Sequence, residues 1–214
     1  MVDGPVVTVR GEAYREVDPE VAQFTVTALA RDRDREVVLT RLAERAAAIR
    51  VLLDAAESSI DRRETGDLRV RPETRRSGER VVAWHGSVVT TVTVTDFTAL
   101  GEVMLRLADQ DQVAVAGPWW SLRPDSPTYR AARHDALTDA VQRAREYAEA
   151  LGAQVTDLIE LADEGGSVQP QMMRMAFDAE TSAGGPPQLD FDPQPQQVHA
   201  AVRARFAITR PALS

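Results

Sequence analysis

A chain of 214 residues suffices for one large domain or two small ones, and its 43% hydrophobic and 27% charged content excludes disorder over most of that length. A formal net charge of −8 repels phosphate backbones at long range and disfavours a nucleic-acid partner. The absence of cysteine removes disulfides, thiolate nucleophiles and cysteine-based zinc sites. All 25 basic residues are arginine and no asparagine occurs, so Schiff-base or phosphate-loop lysines and asparagine oxyanion donors are removed as well.

Residues 1–5 have neither the basic start nor the apolar run of a secretion signal, and no stretch reaches the ~18 consecutive apolar residues of a membrane span. The cytoplasm is the expected compartment, with export the reading if a leader has been removed. Residues 6–11 and 21–29 read as strands, and Asp18-Pro19 between them supplies a turn, giving an expected hairpin. In the second strand Ala22, Phe24, Val26 and Ala28 alternate with Gln23, Thr25 and Thr27, the period of a half-buried strand. From 34 to 57 the period lengthens. Val38, Leu42, Ala46, Ile49, Leu53 and Ala56 make an amphipathic helix with Arg41, Glu44 and Arg45 on its outer face.

A second hairpin is expected from 68–71 and 81–95, around the charged turn Arg75-Arg76-Ser77-Gly78-Glu79. In its return arm Val92 and Val94 oppose Thr91, Thr93 and Thr95. Asp96 is the expected N-cap of a short helix carrying Leu100, Val103, Met104 and Leu107. A strand over 113–122 follows, in which Trp119 and Trp120 must face opposite ways, so at most one joins the main core. The longest helix is punctuated by Ser126 as cap, Pro127 at its first position and Gly152 as a left-handed stop. Its stripe of Tyr129, Ala132, Ala136, Leu137, Ala140, Ala144, Tyr147, Ala148 and Leu151 is rich in alanine, which lets a helix sit close to a sheet.

After a strand over 155–161, residues 163–197 shift to Gly, Pro, Gln and Met and read as a long loop inserted before the last strand. In that strand Val198, Ala200, Val202, Ala204, Phe206 and Ile208 alternate with His199, Arg203, Arg205 and Thr209.

The order of these elements, with several local patterns, resembles the SIMPL-domain family of bacterial proteins, whose molecular activity is mostly unassigned. The resemblance rests on Val7-Thr8-Val9-Arg10-Gly11-Glu12-Ala13, on Asp18-Pro19-Glu20-Val21-Ala22, and on Ala83-Trp84-His85 leading into Val92-Thr93-Val94-Thr95-Asp96. It extends to Arg143-Ala144-Arg145-Glu146-Tyr147-Ala148-Glu149-Ala150-Leu151-Gly152 with Leu158-Ile159-Glu160. The sequence departs from the family pattern in having Pro195-Gln196-Gln197 where members commonly show a Gly-Glu turn. The resemblance implies an α+β fold, a single domain over 1–214 with a flexible insertion at about 163–197, and self-association. It implies no catalytic residue.

His85, His134 and His199 follow no metal-binding spacing, so no metal site or cofactor is expected. His134 and Asp135, with Ser126 or Ser121 as nucleophile, do not form a catalytic set, because neighbours on a helix diverge by about 100 degrees. No Gly-x-Ser-x-Gly elbow is present. Met172, Met173, Met175 and Phe177 form an apolar cluster in the insertion that would dock a second subunit or protein partner, or tuck against their own domain. Arg10, Arg69, Arg71, Arg203 and Arg205 project from the wet faces of strands, to contact an anionic partner or to keep the sheet soluble. Whichever of Trp119 and Trp120 leaves the core is a candidate interface residue.

The sequence therefore predicts an α+β module in which two long helices and one short helix cover one face of a mostly antiparallel sheet. Its expected role is non-catalytic, as a self-associating or ligand- and partner-binding protein, a homo-oligomer without nucleic acid or membrane span. The competing reading is a small-molecule hydrolase or isomerase with an Asp, Glu or His acid-base site.

Overall fold

The computed structural model describes residues 4–74, 80–170 and 189–212. The α+β class and the antiparallel pairing stand as read, with the strands shared between two sheets. The chain gathers into two compact units, each built from separate segments: unit 1 from Met1–Asp18, Leu122–Met173 and Gln194–Ser214, unit 2 from Pro19–Ser121 and Arg174–Pro193.

Unit 1 holds strands β1 (Val6–Val17), β6 (Val155–Pro170) and β7 (Gln196–Ile208) in the order β1-β7-β6, with helix α3 (Pro127–Ala150) on one face. Ser126 caps α3 by accepting from the Thr128 amide at 3.3 Å, Pro127 occupies its first turn, and Gly152 follows it with φ of +65°, a left-handed conformation that suits glycine. Ala132, Ala136, Ala140, Ala144 and Ala148 recur every fourth residue and are buried against Val9, Val198, Ala200, Val202, Ala204 and Phe206. Gly11 extends this small-residue contact, since a Cβ there would overlap the Ala136 carbonyl oxygen and the Ala140 amide. Tyr147 and Leu151, expected in the same stripe, are exposed, because the buried row follows the alanines alone.

Unit 2 holds β2 (Val21–Asp32), β3 (Ile60–Thr74), β4 (Val81–Val94) and β5 (Val113–Ser121) in the order β3-β4-β2-β5. Helices α1 (Arg35–Asp54) and α2 (Leu100–Ala108) cover one face, and a short 3₁₀ turn (Glu57–Ser59) precedes β3. The core here is large-grained: Phe24, Val26, Val38, Leu42, Leu53, Val92, Leu100 and Leu107 are almost completely buried. Asp34 caps α1 by accepting from the Glu36 amide at 2.8 Å. Asp96 does not cap α2. It accepts from the Thr98 amide in the turn before the helix, which starts at Leu100 without a side-chain cap. Arg41 and Arg45 also depart from a plain outer-face role: Arg45 donates to the Leu29 carbonyl at 2.8 Å and Arg41 pairs with Asp32 at 3.0 Å, pinning α1 to the end of β2.

Three further corrections follow from the pairing. β1 and β2 are not a hairpin: β1 pairs with β7, while β2 pairs with β4 and β5. The inner faces of β1 (Val7, Val9, Gly11, Ala13) and of β2 (Ala22, Phe24, Val26, Ala28, Ala30) mix small and large residues alike, so neither they nor the turn between them selects a partner strand. The hairpin of β3 and β4 does form, with its charged turn at 75–79 outside the described residues. The segment read as a loop from 163 opens as strand, because β6 runs to Pro170 and β7 already starts at Gln196. β6 contains three register shifts against β7, each adding a residue that breaks period-two alternation.

Candidate functional site

Two surfaces stand out, one on each unit. On unit 2 no helix among the described residues lies on the sheet face opposite α1 and α2, and register sets the residues of that face in rows. Arg31 of β2 and Arg71 of β3 are both direct neighbours of His85 on β4, while Leu29 and Arg69 flank Ser87 in the next row on that face. These side chains, with Gln112, line an open cleft of about 370 Å³.

Beside the cleft, Glu73 Oε2 accepts from Arg31 Nε at 2.9 Å and from its Nη2 at 2.8 Å. The same oxygen lies 2.7 Å from His85 Nε2. An ionised carboxylate only accepts, so His85 Nε2 carries the proton of that bond. The His85 bond, followed by that from Arg31, holds the Glu73 carboxyl below the ordinary carboxylate range.

On unit 1, α3 covers β1 and β7, and among the described residues the same face of edge strand β6 is left open. Leu158, Leu161 and Val168 pair with Phe206, Ala204 and Val198, whose side chains are buried under α3. Paired residues of an antiparallel ladder share a face, yet the β6 residues are 52%, 47% and 38% exposed. A shallow groove of about 150 Å³, lined by Tyr129 and Arg133 of α3 and by Gly166 and Val168 of β6, runs beside this strip. The opposite face of the same sheet is charged, and part of that charge is paired. A register shift lets Glu164 reach both Arg10 and Arg203 at 2.9 Å, and Glu12 takes Arg10 at 2.8 Å.

The tryptophans separate as their adjacency requires. Trp120 pairs with Ala22 and meets Phe97 edge-on at 4.9 Å within the core of unit 2, whereas Trp119 pairs with Gln23 on the face opposite the helices and is 50% exposed. Met172, Met173, Met175 and Phe177 lie outside the described residues. His134 is exposed on α3, and its neighbour Asp135 is taken by Arg15 at 2.6 Å. His199 stacks on Tyr14 with ring centroids 4.6 Å apart, and its Nε2 is buried without a hydrogen-bond partner, 3.9 Å from Glu12. Among the described residues no three His, Cys, Asp or Glu side chains gather as a metal-binding group, and no helix is long and apolar enough to cross a membrane.

Sequence reasoning singled out Arg69 and Arg71, weighed His85 only as a metal ligand and passed over Arg31 and Glu73, because only the register joins three strands into one cluster. It missed the β6 strip because period two is broken there. No curated protein matches the chain. Residues 7–206 match the model of a family described as SIMPL, protein of unknown function (DUF541), a span that takes in all but the outermost residues of the first and last strands described above. The chain belongs to the SIMPL family.

Proposed function

We propose that this SIMPL chain is a non-catalytic module that works by association, packing against further copies of itself along the β6 side of unit 1. The observation that carries the reading is the half-covered sheet: Leu158, Leu161 and Val168 continue the apolar surface that α3 buries on β7, and nothing among the described residues covers them. Each leucine removed from water contributes about 1.5–3 kcal/mol, so a few such side chains matter in an interface. The three register shifts in β6 interrupt a regular row of edge hydrogen bonds, which favours packing of faces over extension of the sheet from copy to copy. Exposed Trp119 supplies a second contact of the type enriched in interfaces. Docking of a protein partner by Met172, Met173, Met175 and Phe177 belongs to the same proposal and fails if deleting 171–177 changes neither oligomer size nor partner capture.

The competing hydrolase or isomerase would place its acid-base pair at Glu73 and His85. Their side chains are 38% and 40% exposed, His85 lining an open cleft and Glu73 beside it, without the water exclusion that such chemistry uses. Ser126, the notional nucleophile, is engaged as a helix cap.

Native mass spectrometry of the full chain tests the proposal. The wild type is expected as an oligomer, and Leu158→Asp with Leu161→Asp, both at exposed positions, as a folded monomer. A wild type that is monomeric, or one that carries a stoichiometric small molecule and turns it over, would overturn the reading.

A further inference from the structure

The cleft on unit 2 gathers positive charge that the chain itself only partly answers. Glu73 is committed to Arg31 and His85, and Asp67 to Arg69 at 2.6 Å. Arg71 has no ion pair or hydrogen bond among the described residues, although it shares the β3 face with Arg69 and sits beside His85. Arg69 and Arg71, two apart on one strand, put two guanidinium groups on the same side of the cleft, and of the two only Arg69 has a carboxylate partner among the described residues. On unit 1 two arginines of the charged face, Arg10 and Arg203, are bridged by one glutamate.

We propose that this cleft binds a small-molecule oxyanion of the phosphoryl class, with Arg71 and Arg69 as its principal contacts. A guanidinium offers forked N–H donors matched to phosphoryl oxygens, and two of them side by side on β3, with Arg31 across the cleft on β2, suit a tetrahedral group with acceptors on every side better than one planar carboxylate. Ser87 and Gln112, both lining the cleft, add neutral donors, and Leu29 gives an apolar wall for the rest of the ligand. A volume of about 370 Å³ is at the small end of ligand pockets, which run from roughly 300 to 1,000 Å³, and exceeds what an inorganic ion alone fills. The net charge of −8 does not oppose this binding at close range, because charges farther than about 8–10 Å are screened at physiological salt. The same net charge works against long polyanions, whose backbones would extend past the cleft.

Isothermal titration of the full chain with sodium pyrophosphate tests the assignment, with circular dichroism confirming that each variant is folded. Saturable one-to-one binding is expected, weakened at least about tenfold by Arg71→Gln, the size of a lost hydrogen bond to a charged group. Glu73→Gln should tighten binding several-fold, because it frees Arg31 and His85 from their competing carboxylate. Arg145→Gln on α3 should leave it unchanged. The proposal is overturned if no saturable binding occurs, if Arg71→Gln has no effect, if Arg145→Gln weakens binding as much, or if citrate binds as tightly as pyrophosphate.

Discussion

Arg15 on β1 and Asp135 on α3 meet at 2.6 Å, tying helix to sheet through one exposed pair. The hydrogen bond from Arg15, more than its Coulombic attraction, holds the Asp135 carboxyl below its ordinary range and raises the Arg15 guanidinium. A carboxyl depressed in the folded state contributes stability above its unfolded pKa of about 3.9, and that contribution is lost as pH falls through the folded value. Asp135→Asn cannot titrate. Its urea midpoint should therefore fall less steeply than that of the wild type between pH 5 and pH 3, and parallel curves would show that the pair adds nothing. Asp32, held down chiefly by the Asp34 amide, and Glu73 keep a residual acid sensitivity in the variant. None of these pairings could be read from sequence, because Arg15 and Asp135 become neighbours only once α3 is laid on β1.

Elements were legible where local chemistry fixes them. Ser126, Pro127 and Gly152 marked both ends of α3, and the alternation in β2 and β7 gave their buried faces directly. What failed was partnership. The turn at Asp18-Pro19 is compatible with a hairpin, but the strands on either side join different sheets. In β6 the register shifts place Leu158 and Leu161, three apart, on one face, so a period-two reading stops at 161 while the strand continues to Pro170. Helix α3 approaches β1 closely at Gly11, whose missing Cβ leaves room for the Ala136 and Ala140 backbone. Backbone cannot yield as a flexible side chain does, so Gly11→Ala is expected to cost about 3 kcal/mol, at the upper end for overpacking, measured by urea denaturation. A loss below about 0.5 kcal/mol, the range of neutral surface changes, would mean that α3 shifts freely over β1.

Over the whole molecule, two cores of different grain coexist, one of alanine under α3 and one of Phe, Leu and Val under α1 and α2. Phe24 is fully buried in the second, and truncating it to alanine should cost about 3–5 kcal/mol. Hydrogen exchange followed by mass spectrometry should show that Phe24→Ala accelerates exchange in β2, β4 and α1 while sparing β1, β7 and α3. Uniform acceleration would mean that both cores open as one cooperative body. The central place of β7 in its sheet also sets an order on synthesis. Strands β2 to β5 have all emerged by Ser121, so their sheet is complete in the nascent chain, whereas β1, translated before any of them, meets its ladder partner only after residues 196–208 are made. On the ribosome the earliest strand is thus among the last to find its place, and its inner face of Val7, Val9 and Ala13 must be kept from other nascent chains until the final strand arrives.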